Sequence, residues 1–295
     1  MSERLPETEA RDETSIGLDM LDSLALVERL ASAHHRAVEA VVERQATIAA
    51  IVDAIVERMQ HGGCVHYVGA GTSGRLAVLD AAEMMPTFGT PSGLICAHIA
   101  GGRRALLESV EGAEDDETAG AADMRGHVAT DDVVIGISAS GGAPYVVAAM
   151  REGRDIGALT VALVNSSGSP LERLADAAIV LQTGTEPLAG STRMKAGTAQ
   201  KVALNTISTA VMVRLGRVYG NVMVDVAPTN EKLRARARRL VSLLSGTGDS
   251  QAAALLDAAS GSVKVATIMA KHECDAAAAR TLLDRHGGRL RDCLQ

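Results

Sequence analysis

The sequence predicts an α/β fold in which helices cover both faces of a mostly parallel, five-stranded sheet, giving three α-β-α layers. Beyond residue 60, short β-rich segments alternate with helical segments, a pattern typical of parallel strands joined by crossover helices. Strands are expected at 64–68, 94–97, 132–137, 160–164 and 178–181. Turns rich in glycine and hydroxyl side chains follow several of these strands, at the sheet edge where ligands of such folds bind.

Helical periodicity places the other elements and divides the chain into three parts. Residues 1–60 hold a polar leader and two helices, at 18–30 and 33–60, the second with an apolar stripe between Ile48 and Met59. Residues 61–230 form the sheet domain, with helices expected at 75–84, 103–110, 144–154 and 195–213. Residues 231–295 form a small helical domain that begins with a basic helix and ends with three short alanine-rich helices.

The composition of the 295-residue chain excludes several classes of partner. Its net charge is −7, and it has no Trp, one Phe and three Tyr, which argues against nucleic acid. Its four cysteines form no C-x-x-C pair, so we expect reduced thiols in a cytoplasmic protein without a zinc site. No apolar run reaches the ~18 residues of a membrane span, so no membrane association is expected.

The turn after the first strand has the spacing of a nucleotide-binding loop but predicts a different ligand. Gly69, Gly71 and Gly74 match G-x-G-x-x-G, whose glycines let an anion approach the backbone at a helix N-terminus. A dinucleotide site also needs an acidic residue after the next strand, and none follows 94–97. Thr72 and Ser73 supply hydroxyls, so the loop favours a small phosphorylated ligand.

Three further turns at the same predicted edge share this chemistry. They lie at 138–142, 165–168 and 190–195, and each alone is more often an ordinary polar turn or helix cap. Because the loops after parallel strands meet at one edge, we expect a single phosphate pocket that needs neither metal nor other cofactor. The candidate binding residues are Gly71, Thr72, Ser73, Ser138, Ser140, Gly141, Ser191, Thr192 and Lys195.

Two glutamates are candidates for catalysis, which a phosphate pocket alone does not provide. Glu83 lies at the end of the helix that follows the glycine loop, and Glu114 lies just past a helix and a glycine. Carboxylates at helix ends are usually solvated, so spacing alone does not assign a catalytic role to either residue.

Four segments together resemble the N-acetylmuramic acid 6-phosphate etherases, a family of the sugar isomerase (SIS) superfamily. They are GAGTSGRLAVLDAAE (69–83), EGAEDD (111–116), GSTRMKAGTAQK (190–201) and VYGNVMVDV (218–226). The first is generic to SIS domains and the other three are specific to etherases. The similarity extends from residues 8–11 to residues 287–288, so it implies a SIS-type sandwich across nearly the whole chain.

The resemblance implies a lyase that cleaves the D-lactyl ether of N-acetylmuramic acid 6-phosphate, in cell-wall amino sugar recycling. A base removes the C2 proton of the open-chain aldehyde, lactate leaves C3, and water adds to the alkene, giving N-acetylglucosamine 6-phosphate. Glu83 matches the residue that protonates the departing oxygen, and Glu114 matches the second catalytic carboxylate. An ether is a poor leaving group without general acid help, so two carboxylates suit this reaction.

The chain departs from the family pattern at two places near these residues. The family's Ala-Ala-Ser-Gly-Arg-Thr-Pro-Tyr is SASGGAPY (138–145) here, so Gly142 and Ala143 replace an arginine and a threonine. The family's Glu-Cys-Pro-Pro is EMMP (83–86). Both catalytic carboxylates are retained, so we expect the same reaction with an altered affinity for the phosphate.

Helix geometry predicts a homodimer with shared sites. Nine helical residues separate Gly74 from Glu83, about 13 Å at ~1.5 Å per residue, farther than the phosphate of a hexose 6-phosphate lies from its C2. We therefore expect Glu83 to serve the phosphate pocket of a second subunit.

Two other functions fit a sugar-phosphate pocket. One is a non-catalytic regulator similar to the glucokinase regulatory protein, which has two SIS domains where this chain has one. The other is a SIS-type aldose–ketose isomerase, which also removes a C2 proton. Release of D-lactate separates the etherase from both alternatives.

Overall fold

The computed structural model describes residues 8, 10–226 and 230–295. Most of the polar leader predicted at residues 1–12 lies outside the described residues. The chain divides into two compact units. The first runs up to Ala81 and includes Gly93–Ser208, and the second comprises Ala82–Ser92 and Thr209–Gln295.

The first unit is built on a parallel sheet, which confirms the predicted fold class. The strands are β1 (Val65–Gly69), β2 (Ile95–Ile99), β3 (Val133–Ser138), β4 (Leu159–Val164) and β5 (Ala177–Val180). Their order is β2-β1-β3-β4-β5 and every pair is parallel. Because the order reverses between β1 and β3, the loops that leave these strands diverge and open a crevice at the carboxyl edge.

The helices of this part of the chain precede β1, connect the strands or follow β5, and each of them begins in the first unit. They are α1 (Ser23–Ala33), α2 (His35–Val42), α3 (Gln45–Gln60), α4 (Gly71–Phe88), α5 (Glu117–Met124), α6 (Pro144–Ile156), α7 (Pro170–Leu174) and α8 (Lys195–Arg214).

Successive side chains of a strand point to opposite faces of the sheet. Helices pack against both of these faces. On one face, Val68 of β1 and Val134 of β3 belong to a buried apolar cluster that includes residues of α5, α6 and α7. On the other face, the Tyr67 hydroxyl of β1 donates to Asp80 of α4, which also accepts from Asn205 of α8. The architecture is therefore the expected three-layer sandwich.

The second unit is mostly helical. After the antiparallel pair β6 (Val218–Tyr219) and β7 (Val222–Met223), it contains α9 (Glu231–Ser245), α10 (Asp249–Ala258), α11 (Val263–His272), α12 (Ala276–Arg285) and α13 (Leu290–Cys293). Its core includes a buried Lys264, whose ammonium donates to Asp225 at 2.6 Å and to the Gly288 carbonyl at 2.8 Å. The expected helical C-terminal region is confirmed, with α13 in addition to the three predicted short helices.

The N-terminal helices differ from the prediction at the start of the first helix and within the second, whose predicted end at residue 60 is confirmed. The first begins at Ser23 rather than residue 18, because the Asp22 carboxylate caps it by accepting from the Ala25 amide. The predicted helix at 33–60 is interrupted between α2 and α3. At the break, the Arg44 guanidinium donates to the Val180 carbonyl at 2.9 Å. This contact depends on the tertiary fold, so periodicity could not reveal it.

The helix predicted at 103–110 is wrong. Residues Gly102–Leu106 form a short 3₁₀ turn, and the following helix is α5, which the sequence pattern did not identify. Asp116 caps α5 by accepting from the Ala119 amide, and this residue follows Glu114 in an acidic run whose capping role was not recognised.

Among the described residues, no single helix has the length and apolar character of a membrane span; α10 and α11 meet that test only as a pair, bent by 112°. The four cysteines are free.

Candidate active site

A cavity of about 580 Å³, which we call the first cavity, lies at the carboxyl edge of the sheet in the first unit. Loops after β1 and β3 form much of its wall, where the strand order reverses. Seven of the predicted site residues line it together, namely Gly71, Thr72, Ser73, Glu114, Ser138, Ser140 and Thr192. Pro144 and Pro170, which begin α6 and α7, also line it. The cavity is therefore a place where helix N-termini and hydroxyls converge.

The glycine turn brings β1 and α4 into very close approach. A Cβ atom on Gly69 would lie 2.7 Å from the Gly74 amide nitrogen, so the turn excludes a side chain there. Gly71 adopts φ +52°, a left-handed conformation that suits glycine. The helix starts at Gly71, so Thr72 and Ser73 lie in its first turn, where amides lack intrahelical partners. This turn can supply backbone donors to an anion.

The hydroxyls of Ser138 and Ser140 are arranged as hydrogen-bond donors. The Gly141 amide donates to Ser138 Oγ at 3.1 Å, and the Gly142 amide donates to Ser140 Oγ at 3.2 Å. Each oxygen accepts from the backbone and so keeps its own O–H hydrogen available to a ligand. Gly141, a predicted binding residue, does not line the cavity; it turns the loop at φ +69° and is buried against Ser169.

The Ser73 hydroxyl, unlike those of Ser138 and Ser140, already donates its hydrogen within the protein. Its Oγ donates to Gln200 Oε1 at 2.8 Å, Gln200 Nε2 donates to Asn165 Oδ1 at 2.9 Å, and Asn165 Nδ2 donates to the Leu181 carbonyl at 3.1 Å. A backbone carbonyl can only accept, so it fixes the orientation of both amides and the direction of every bond in this buried relay. The Ser73 hydrogen is thus held by Gln200, and the residue offers lone pairs to the cavity.

Glu114 places a carboxylate at the rim of the first cavity. It lies with Asp115 in the 3₁₀ turn Ala113–Asp115, which Gly112 introduces at φ +71°. Both acidic residues are exposed and both line the cavity. Among the described residues that line it, none is Lys, Arg or His. The cavity therefore offers neutral donors in its interior and negative charge at one side.

Glu83 is not among the residues that line the first cavity, whose lining comes wholly from the first unit. It is exposed on α4, in the stretch that belongs to the second unit. Leu79 and Pro86 lie four and three residues from it and are exposed on the same side of the helix. Glu83 thus lies on an open and largely apolar helix face.

Lys195 lies in a different cavity of about 660 Å³, which we call the second cavity. The lining also includes residues of the N-terminal turns and helices and Thr185 of the loop after β5. The fully buried Glu186 in that loop accepts from the Lys195 and Ala196 amides, both at 2.9 Å, and so caps α8. Ser191 lines neither cavity.

A buried carboxylate supports the helix that carries the glycine turn. Asp80 accepts from the Tyr67 hydroxyl at 3.1 Å, from Asn205 Nδ2 at 2.6 Å and from the Ser208 hydroxyl at 3.1 Å. Burial raises the pKa of Asp80, and these hydrogen bonds offset part of the rise. The sequence reasoning missed this residue, although a lone Asp between apolar positions of a helix was a usable signal.

Within the described part of the chain, no three His, Cys, Asp or Glu side chains are grouped so as to hold a metal ion. Two buried histidines lie close together in the sheet. His66 Nδ1 lies 3.1 Å from His98 Nε2, and burial lowers the pKa of His98 to about 4. The pair is therefore neutral at physiological pH.

Comparison with protein families gives a SIS assignment. Residues 47–153 match the family model of the glucokinase regulatory protein N-terminal SIS domain, and residues 107–210 match that of the SIS domain. The phosphoheptose isomerase of Francisella tularensis superposes with a TM-score of 0.51 at 18% identity, covering 65% of this chain and 100% of that one. That similarity shows the fold alone.

Sequence relatives extend the similarity beyond the sheet. The chain is 50% identical over 278 residues to a protein of Deinococcus radiodurans named N-acetylmuramic acid 6-phosphate etherase, covering 94% of this chain and 91% of the relative. It is 45% identical to a protein of the same name from Geobacillus thermodenitrificans, covering 98% of each. The helical C-terminal region is therefore shared as well as the SIS core.

Proposed function

Since the chain belongs to the N-acetylmuramic acid 6-phosphate etherase family, we propose that its first cavity binds the 6-phosphate of that sugar. The enzyme is a carbon–oxygen lyase of cell-wall amino sugar catabolism. The observation that carries the proposal is the pair of hydroxyls, Ser138 and Ser140, whose O–H hydrogens are free beside the first turn of α4. A phosphate monoester carries several acceptor oxygens and needs such donors.

The reaction needs a base at C2 and an acid at the ether oxygen on C3. Opening of the sugar ring gives a C1 aldehyde, which acidifies the C2 proton. Removal of that proton forms the C2–C3 double bond while the C3–O bond breaks and the lactate oxygen takes a proton. Water then adds across the double bond, its oxygen to C3, and gives N-acetylglucosamine 6-phosphate with D-lactate. Each step moves a proton that a positioned carboxylate can carry.

Glu114 is well placed for one of these proton transfers, because it lines the cavity that the phosphate enters. Its exposure leaves room for the sugar to cover it when the substrate binds. The resemblance gives Glu83 the transfer to the departing lactate oxygen.

For Glu83 we propose that it acts in the first cavity of a second subunit. The helix is continuous from Gly71 to Phe88, so Glu83 lies about 13 Å along the axis from Gly74 at ~1.5 Å per residue. Leu79 is 52% exposed and Met85 is 58% exposed on the same helix, which favours a protein surface that a second copy covers. A homodimer would bring each Glu83 to its partner's site.

Incubation with N-acetylmuramic acid 6-phosphate in H₂¹⁸O tests the proposed reaction. We expect release of D-lactate and one ¹⁸O atom in the N-acetylglucosamine 6-phosphate, because the added water supplies the C3 oxygen. Lactate that carries the label, with an unlabelled sugar, would mean cleavage on the other side of the ether oxygen. Tight binding without lactate release would instead favour a sugar-phosphate-binding regulator, and interconversion of sugar phosphates without lactate an isomerase.

Mixing two inactive variants tests the shared site. Glu83→Gln and Glu114→Gln proteins are unfolded, refolded together and assayed, with each variant refolded alone as the control. If sites are shared, mixed dimers regain up to about a quarter of the wild-type activity, because one site in half of the dimers is intact. Activity no higher than that of the separate variants would show that each subunit works alone.

The same proposal places the enzyme in the cytoplasm, which its four unpaired thiols support.

A further inference from the structure

Lys195 is an unpaired cation in a buried position. The residue is only 8% exposed, and no described side chain forms a hydrogen bond or an ion pair with its ammonium. A charge removed from water without a partner is costly, so proteins rarely keep one unless something binds it. Lys195 lines the second cavity, which has room for a small molecule.

The second cavity has an excess of positive charge. Its charged lining residues are Asp12, Glu28, Arg29, Arg36 and Lys195. The Arg36 guanidinium is already paired with Glu43 at 2.5 Å, and Arg29 donates to the Thr14 carbonyl. Ser32 and Thr185 add hydroxyls. Lys195 is thus the cation with the most capacity left for a ligand.

Lys195 acts on Asp12 through its charge but forms no ion pair with it. Burial alone would raise the pKa of Asp12, but hydrogen bonds from Ser15 and Thr14, together with the charge of Lys195, outweigh this effect and lower the pKa. Those hydrogen bonds occupy both carboxylate oxygens, Oδ1 with Thr14 and Oδ2 with Ser15. Since no hydrogen bond or ion pair joins Asp12 to Lys195, the ammonium keeps capacity for another anion.

The two cavities share one short segment of chain. Thr192 lines the first cavity and Lys195, one turn later, lines the second. The Gly197 amide donates to the Thr192 carbonyl at 2.8 Å, and a Cβ on Gly197 would lie 3.4 Å from the Thr72 methyl. The first turn of α8 therefore packs directly on the glycine turn, and a ligand held at one cavity is close to the other.

The substrate of the proposed function carries two anions, and the cavities differ in the charge they offer. The first cavity has neutral donors for the phosphate, but the carboxylates of Glu114 and Asp115 would repel a second anion there. We propose, on the basis of that function, that Lys195 and the second cavity bind the carboxylate of the lactyl group. The assignment makes Lys195 a specificity residue for lactyl ethers.

A pair of substrates tests this assignment. N-acetylmuramic acid 6-phosphate is compared with the 3-O-ethyl ether of N-acetylglucosamine 6-phosphate, which has the same ether bond but no carboxylate. We expect Lys195→Met to lower kcat/KM for the lactyl ether by about tenfold or more, the size of one charge-assisted hydrogen bond. The ethyl ether should change by less than about twofold, and Lys195→Arg should restore part of the lactyl preference. Equal losses on both substrates would overturn the proposal.

Binding of D-lactate gives a readout that does not depend on catalysis. Wild-type protein saturated with sulfate should still bind D-lactate, and Lys195→Met should not, while Ser138→Ala should weaken sulfate alone. Displacement of lactate by sulfate would place the carboxylate in the first cavity and overturn the proposal. If Ser138→Ala leaves sulfate binding unchanged, the phosphate assignment of the first cavity fails instead. Lys195→Gln serves as a second neutral variant should Lys195→Met fold poorly.

Discussion

The two cavities of the first unit differ in the groups that they offer to an anion. The first is lined by hydroxyls and helix N-termini, with no described cation and with carboxylates at its rim. The second is lined by two arginines and a lysine, beside the carboxylates of Asp12 and Glu28. Under the proposed function, neutral dipoles suit a phosphate that must bind and leave again, because they add no fixed charge beside Glu114. The cations that line the second cavity are not among the residues that line the first cavity with Glu114.

The largest expected effect comes from the rim of the first cavity. Glu114→Gln keeps the shape of the side chain but removes its ability to carry a proton. We expect kcat to fall by about 10²–10⁴, the range for loss of a general acid or base, while affinity for sulfate stays within about twofold. Steady-state assays of lactate release, with sulfate binding by calorimetry, measure both quantities. A variant with weakened sulfate binding and normal turnover would show that Glu114 belongs to the binding surface.

A smaller effect distinguishes the hydroxyls within the first cavity. Ser138→Ala and Ser140→Ala each remove a free donor, so we expect sulfate to bind about five- to tenfold more weakly. Ser73→Ala removes a hydroxyl whose hydrogen is held by Gln200, so sulfate affinity should change by about twofold or less. Sulfate is the suitable probe because it has no proton to donate at neutral pH. If Ser73→Ala weakens sulfate binding as much as Ser138→Ala and Ser140→Ala do, the relay does not fix the direction of the Ser73 hydroxyl.

How much of each cavity the sequence revealed follows from the way it is built. The first cavity comes from turns after successive parallel strands, so the pattern of strand followed by Gly and Ser was enough to collect Thr72, Ser138 and Thr192. The second depends on where the N-terminal helices fold back, which no local pattern encodes. We therefore predicted Lys195 as part of the phosphate pocket, but in the structure it lines the second cavity.

The partners of the buried residues that support the site were outside the reach of sequence patterns. Gln200 reads as an ordinary polar residue in a helix, and the apolar neighbours of Asp80 indicate burial but not what the carboxylate binds. Their roles depend on partners far along the chain, Asn165 for Gln200 and Asn205 for Asp80. Hydrogen-bond direction, which decides what Ser73 can offer, requires the position of the Leu181 carbonyl and so requires the tertiary structure.

A modest change in stability would sharpen the assignment of the second cavity. Because Lys195 is buried and its ammonium has no ion-pair partner among the described residues, Lys195→Met should leave the free energy of unfolding unchanged or raise it by about 1 kcal/mol, since apolar replacements of buried charges are often stabilising. Urea unfolding with a matched Lys195→Arg variant, which keeps the charge, measures the difference. A loss of more than about 2 kcal/mol would show that the lysine is a structural element of the fold.

The smallest expected effect concerns Asp80, a buried charge that is fully hydrogen-bonded where Lys195 is not. Its pKa is raised in the folded protein, chiefly by burial, so the stability that it contributes is full below its unfolded pKa, ~3.9, and declines as pH rises through the folded pKa. Asp80→Asn can keep Oδ1 as the acceptor for Asn205 and Ser208 and turn its amide toward the Tyr67 oxygen. The variant should therefore gain on the wild type in free energy of unfolding as the pH rises from about 3.9 towards neutrality. Urea titrations across that range measure the gap, and a gap that narrows as pH rises would mean that the hydrogen bonds to the ionised carboxylate outweigh its burial.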